Sequence, residues 1–187
     1  MRHEPSSGGF ARATGFLRAR VAWFLAAALC LGAGGFAPYV IALAGAAGTP
    51  AFNVADIEIR TRDKTIPLAV EIAATADQRA TGLMGRARLA PNAGMLFLYP
   101  GSQPPESGFW MYRTRIPLDI AFLETNGRIV AIDTMAPCAS ANPSRCPPYL
   151  AGVEYSGALE VNKGFYARHD VEVGDRVTWS DAQAHTQ

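Results

Sequence analysis

The chain is expected to fold as one mainly β domain, a sandwich or barrel with a single short helix, and three features of the sequence carry that expectation. Beyond residue 51 apolar and polar residues alternate with the period of a strand. Thr75-Ala76-Asp77-Gln78 has the form of a capping box, which starts a helix. Asn126-Gly127 separates two apolar runs, as the turn of a hairpin does. The 187 residues provide for one core, and neither charge nor low complexity argues for disorder.

The elements follow in chain order. Ala55, Ile57, Ile59 and Thr61 alternate with Asp56, Glu58, Arg60 and Arg62, giving a strand with one wet face. Asp63-Lys64 turns the chain into a second strand, Ile66 to Ala73, whose Pro67 suits an edge or a strand start. The helix begins after Thr75, runs to about Met84 and stops at Gly85, where a left-handed residue costs no clash. Arg79 and Leu83 lie one turn apart on it, so docking of Leu83 would hold Arg79 against the domain. Gly94 to Tyr99, GMLFLY, is too brief for a helix and reads as a strand buried on both sides. The loop PGSQPPESG follows, then a strand from Phe109 to Arg113.

A type I′ turn at Asn126-Gly127 would pair Thr125 with Arg128, Leu123 with Val130, Ala121 with Ile132 and Asp119 with Thr134. Both faces of that hairpin are apolar, which places it inside a sandwich or barrel. Ala158 to Asn162 is a further strand, Gly164 to Asp170 a turn or short helix, and Val177 to Ser180 a closing strand.

The first fifty residues differ. Arg12, Arg18 and Arg20 precede an uncharged run from Val21 to Gly48, whose apolar stretch gives way to small residues at Ala42-Leu43-Ala44 or Ala44-Gly45-Ala46. A basic flank, an apolar stretch and an A-x-A site form a secretory signal. The run also exceeds the roughly 20 residues that span a bilayer, so an uncleaved anchor is the alternative to the favoured cleavage. Either form exports the C-terminal domain, leaving it periplasmic or membrane-anchored on the outer side, because the arginines stay inside. Cys30 is a poor lipoprotein site, since Leu29 stands where a small residue belongs.

Outside that segment only Cys138 and Cys146 remain, bracketing ASANPSR. In an exported domain the pair is expected to form a disulfide, contributing about 2 to 3 kcal/mol by loop closure. A redox pair or metal ligands would call for C-x-x-C spacing or a nearby His. From Ala51 onward 13 Lys and Arg face 15 Asp and Glu, a near-neutral balance that disfavours nucleic acid as a partner.

The ordered motifs EIAATADQRATGLMGR, GMLFLYP, FWM with T-x-IPLDIAF, and ALEVNKG ending in VEVGDRV resemble the DUF192 family, also called the UPF0127 proteins, over about residues 54 to 180. The resemblance implies a compact, mostly β domain, barrel-like or jelly-roll-like, with little helix and no established activity. Its motif falls on Arg79, Gly82, Leu83, Met84 and Arg86, on Gly94, Met95 and Phe97, and on Phe109, Trp110, Met111 and Thr114. Further matches are Pro117, Leu118, Asp119, Phe122, Glu160, Gly164, Gly174 and Asp175. The family commonly has Asn before the Thr of this stretch, where the present chain has Arg113, and the cysteine pair is not general to it.

Charges among apolar neighbours define the candidate site. Asp119 and Glu160 both require partners if they lose their water. Arg79, delivered by the helix, is the first choice, so an Arg79–Asp119–Glu160 network is expected; deleting one member of such a network costs about 3 to 5 kcal/mol. The alternative is a pocket with Met84, Met95, Trp110 and Met111 as its wall and Arg86, Arg113 or Thr114 orienting a polar ligand.

Two functions follow. One is a non-catalytic envelope module that binds a small polar or carbohydrate-like ligand, or a protein partner. The other is a hydrolase with Asp119 and Glu160 as its acid/base pair. His3, His169 and His185 read as surface residues. No cofactor or metal is indicated, because no phosphate loop, Ser-His-Asp arrangement or metal-spaced cluster can be assembled. Contact with the membrane would be through the N-terminal segment alone.

Overall fold

In the computed structural model, residues 50–179 are described. The signal or anchor segment, Cys30, His3, His185 and the last residue of the expected closing strand lie outside the described residues. Among the described residues nine strands form one sheet of seven and one of two. The strands are β1 (Asn53–Arg60), β2 (Thr65–Ala73), β3 (Ala93–Gln103), β4 (Gly108–Trp110), β5 (Leu118–Leu123), β6 (Ile129–Met135), β7 (Pro148–Leu150), β8 (Tyr155–Asn162) and β9 (Arg176–Thr178). Two short helices, α1 (Ala76–Thr81) and α2 (Phe165–Arg168), complete the fold.

The large sheet runs β6-β5-β8-β3-β2-β1-β9 and the small one pairs β4 with β7. All ladders are antiparallel except β2 with β3, and the connection between those two carries α1. The sheet curls until its two edges touch at one corner. There the Ile129 amide donates to the Asp175 carbonyl at 2.8 Å, Gly174 donates to Ile129 at 2.9 Å and Val177 to Gly127 at 2.8 Å. The result is a half-barrel rather than a jelly roll.

Curling separates two cores by strand parity. The inner face carries Ile57, Ile59, Leu68, Val70, Leu96, Ala121, Leu123, Leu159, Val161 and Val177, plugged by Phe165 and Tyr166 of α2. The outer face of β3, β8 and β5 carries Met95, Phe97, Leu118, Ile120, Phe122 and Ala158, which lie beneath Phe109, Met111 and Leu83. Every residue of β5 is buried, as its two-sided apolar pattern predicts. Its partner β6 is half-exposed because it lies at the sheet edge.

The β5–β6 hairpin departs from the expected turn in an instructive way. Gly127 donates to the Glu124 carbonyl at 2.8 Å and Glu124 to the Arg128 carbonyl at 2.9 Å, so the loop has three residues and only Gly127, at φ 81°, is left-handed. This shifts Leu123 onto Ile129 instead of Val130. A bulge at Val130 then restores the register, so Ala121 faces Ile132 and Asp119 faces Thr134 as the sequence predicts.

Other boundaries also move. The capping box is present, Gln78 donating to Thr75 Oγ1 at 3.2 Å and Thr75 to Gln78 Oε1 at 3.0 Å. The helix nevertheless ends at Thr81, because Gly82 and Gly85 both take positive φ. β3 continues through Pro100 into the expected loop. β4 stops at Trp110, since the Thr114 amide turns back to the Met111 carbonyl at 3.0 Å. Pro67 sits where β2 pairs with β1 alone, two residues before the β3 ladder begins, as a strand start requires.

Cys138 and Cys146 form a disulfide with Cα atoms 5.7 Å apart. The bridge fastens the approach to β7, a strand not foreseen in PYL, and the Cys138 amide donates to the Met111 carbonyl at 3.3 Å. The chain after β6 is thereby pinned beside the end of β4.

Glycine replacements separate clash from strain. A Cβ on Gly127 would lie 2.0 Å from the Val177 carbonyl oxygen at the barrel corner, whereas one on Gly85, at φ 74°, meets nothing within 4 Å. Gly127→Ala is expected to lose at least about 3 kcal/mol in urea unfolding, and Gly85→Ala only about 1 to 2 kcal/mol from backbone strain. Equal losses would show that the corner contact does not hold the barrel.

Candidate functional site

A small pocket of about 30 Å³, partly open to solvent, lies where α1 and its following turn meet the outer face of the sheet. Room of this size holds a water or two, or one functional group of a ligand. Phe97 of β3, Phe109 and Trp110 of β4, Thr114, Met84, Arg79 and Glu160 line it. The two phenyl rings meet edge to face at 4.9 Å and form the apolar wall. Trp110, 46 % exposed, stands at the mouth.

Thr114 and Glu160 supply the polarity. Among the described residues three polar or charged side chains are buried, Thr114, Asp119 and Glu160. Asp119 has a partner, the Thr134 hydroxyl donating to it at 2.8 Å. The Thr114 hydroxyl and the Glu160 carboxyl, 6 % and 4 % exposed, have no hydrogen-bond or ionic partner among the described residues, and both face the one pocket. Buried polar groups are normally satisfied, so these two are completed by water or by a ligand group held in the cavity they line. Burial without a compensating charge pushes the Glu160 carboxyl up to about 8, so it is mainly protonated at neutral pH. As a neutral acid beside a hydroxyl it can both donate and accept.

The expected Arg79–Asp119–Glu160 network does not form. Arg79 Nη1 donates to the carbonyls of Ala74 and, at 3.0 Å, of Leu98, and its guanidinium lies 4.9 Å from the centre of the Tyr99 ring. It ties the helix to β3 through backbone carbonyls, not through a carboxylate. Strand parity forbids the rest. Asp119 shares the inner face with Ala121 and Leu123, while Glu160 shares the outer face with Ala158. The same separation removes the acid/base pair, because two carboxyls on opposite faces of one sheet cannot flank one bond.

Of the side chains proposed from the sequence as ligand-binding, the fold gathers Arg79, Trp110, Thr114 and Glu160. Met111 and Met95 are instead core residues, 1 % and 0 % exposed. Arg86 pairs with Glu71 at 2.5 Å. Arg113 is exposed, its guanidinium 5.1 Å from the centre of the Tyr112 ring. His169 packs its ring against Phe165 at 4.4 Å, away from the pocket-lining residues. No cluster of three His, Cys, Asp or Glu suited to a metal occurs among the described residues. Sequence reasoning missed Phe97 and Phe109 as pocket residues. Both belong to the motifs, and only the pairing of strands distant in sequence brings them together.

Arg113 sits at φ 56°, and its carbonyl accepts from the Gly85 amide at 2.9 Å. This bond joins the turn after α1 to the turn that carries Thr114. An asparagine, common at this position in the resembled family, tolerates left-handed backbone better than arginine does.

The curled sheet defines a small β domain, and proteins of similar fold and sequence are known. The DUF192 model, described as "Uncharacterized ACR", matches residues 57–179, and the chain belongs to this family. A Sinorhizobium meliloti 1021 protein described as a "putative transcription regulator" is 30% identical, over 71% of this chain and 98% of that one, with a TM-score of 0.63. A protein of unknown function from Novosphingobium aromaticivorans DSM 12444 is 32% identical, over 67% of this chain and 85% of its own, with a TM-score of 0.56. No curated protein matches the chain.

Two measurements follow from the site. The Glu160 carboxyl titrates near 8 when folded and near 4.5 when free. Between those values the folded state holds a proton that the unfolded state has lost, so its contribution to stability falls as pH rises through this window and levels off above it. Glu160→Gln is expected to abolish that slope and to exceed wild type by on the order of 3 kcal/mol at pH 8, read from urea unfolding across pH. Parallel pH profiles for the two proteins would contradict a desolvated carboxyl. Arg113→Asn is expected to gain about 1 kcal/mol by relieving the left-handed strain; a loss in calorimetric unfolding would mean that its contact with Tyr112 outweighs the backbone.

Proposed function

We propose that the domain is an exported, non-catalytic binding module for a small polar, carbohydrate-like ligand, held at the Trp110 pocket. The observation carrying this reading is the pair of buried, unpartnered side chains, Thr114 and Glu160, that line one pocket together with the exposed Trp110. A ligand hydroxyl could accept from one and donate to the other, while the indole offers a flat apolar face to a sugar ring. Among the described residues the pocket has no second carboxyl and no metal-ligating cluster, an arrangement suited to recognition.

Export is supported by the basic and apolar N-terminal sequence and by the disulfide, which is at home in an oxidising compartment. The words attached to the Sinorhizobium meliloti protein would suggest a nucleic-acid role. The near-neutral balance of this domain, 13 basic against 15 acidic residues, gives that role no support.

The test is a thermal-shift and NMR titration of the full-length chain in mild detergent with a panel of soluble saccharides, repeated on Trp110→Ala and Thr114→Val. A binder is expected to weaken by about tenfold or more in each variant, as loss of a stacking ring or of a buried hydrogen bond costs roughly 1 to 3 kcal/mol. Binding that is unchanged in both variants would remove the pocket from consideration.

A further inference from the structure

Beside the pocket the surface carries charge that the chain does not compensate. Thr114 is flanked in sequence by Arg113 and Arg115, both exposed, so each has its Cα one peptide unit from that of a pocket-lining residue. Ion pairs among the described residues engage Arg60, Lys64 and Arg86, and neither Arg113 nor Arg115 takes part in one. The Arg113 guanidinium rests over the Tyr112 ring, and the ring centres of Tyr112 and Trp110 are 5.7 Å apart. A stacked guanidinium is partly pre-ordered, which lowers the entropy cost of engaging an anion. Its backbone is held in a left-handed turn by the bond from Gly85, so its Cα is fixed relative to Thr114.

Three chemistries therefore adjoin: an unpartnered carboxyl and hydroxyl lining the pocket, the exposed Trp110 ring with Tyr112 next to it, and two arginines outside any ion pair that flank Thr114 in the chain. A neutral sugar would leave the arginines unused. An amine would be repelled by them and by Arg79. We propose that the pocket selects an acidic saccharide, a hydroxyl-bearing ring with a carboxylate or phosphate substituent, whose hydroxyl enters between Thr114 and Glu160 while its anionic group meets Arg113 and Arg115. This rests on the binding-module reading and adds the charge class of the ligand. A lipid headgroup also joins hydroxyls to an anion, but Thr114 and Glu160 are 6 % and 4 % exposed and the cavity is about 30 Å³, which suits a free saccharide end better than a membrane plane.

The experiment compares a uronic acid trisaccharide, its neutral counterpart and phosphatidylglycerol vesicles. Each is titrated into the full-length protein in mild detergent, or after reconstitution into neutral vesicles for the lipid arm. The proteins are wild type, Arg113→Asn/Arg115→Gln and Thr114→Val, with thermal melts to confirm folding. The acidic trisaccharide is expected to bind the arginine variant about tenfold more weakly and to lose affinity with added salt, while the neutral one binds weakly and ignores both changes. Arg113→Asn is expected to relieve backbone strain, and melts of the double variant at the wild-type temperature or above would separate weaker binding from misfolding. Equal affinity for acidic and neutral trisaccharides, unchanged in the arginine variant but lost in Thr114→Val, would overturn the charge class and leave the binding module standing. Binding indifferent to Thr114→Val, or no binding by either saccharide, would overturn both readings. Capture by phosphatidylglycerol vesicles alone would do the same and place the surface against a membrane.

Discussion

Burial of both faces of β5 and β8 is the constraint on which the remaining architecture depends. A strand with apolar side chains on alternate sides cannot face water on either, so the sheet must curl to close one side and acquire a cover for the other. Curling brings β6 and β9 together at Gly127 and Val177 and encloses the inner core. The outer core is covered by pieces too short to fold alone: the β4–β7 pair and the turn after α1. Each piece is tethered, by the disulfide, by Arg79 on backbone carbonyls and by the bond from Gly85 to Arg113.

A cover built from separate pieces leaves a seam, and the pocket is that seam. Leu83 and the rings of Phe97 and Phe109 fill most of the space between cover and sheet, but Glu160 occupies a position where parity calls for an apolar side chain. The chain has arginine available nearby and does not spend it here. Arg79 is engaged by the carbonyls of Ala74 and Leu98. Asp119, one strand away and on the other face, is satisfied by a hydroxyl at the sheet edge. Two carboxyls that look alike in sequence thus experience opposite situations, one partnered and one not.

Neutrality of the buried carboxyl and exposure of the two arginines flanking Thr114 are consequences of the same geometry. Desolvation raises the carboxyl because the guanidinium lining the same pocket, Arg79, is bonded to backbone carbonyls instead, while Arg113 and Arg115 are exposed. The left-handed turn at Arg113 links the two, because it directs Thr114 inward while leaving its neighbours outside. Strain at such a turn is maintained only when the surrounding contacts over-determine it, and strained backbone is often found where a protein binds something.

By itself the sequence determined what local chemistry can specify. The strand periods, the capping box at Thr75, the two-sided burial of β5, the pairing of Asp119 with Thr134 and the cysteine pair were all legible, because each depends on residues close in sequence or on one face of one element. The hairpin shows the limit: the glycine located the turn, yet a three-residue loop and a compensating bulge at Val130 produced the register that a two-residue loop would have produced. Only the tertiary structure decided which polar groups meet. Arg79, Phe97, Phe109, Thr114 and Glu160 come from five separate segments, and their convergence depends on strand order and on which face each strand presents. Charge complementarity in sequence suggested Arg79 for Asp119, but a sheet lies between opposite-facing side chains, and no one-dimensional pattern records that separation.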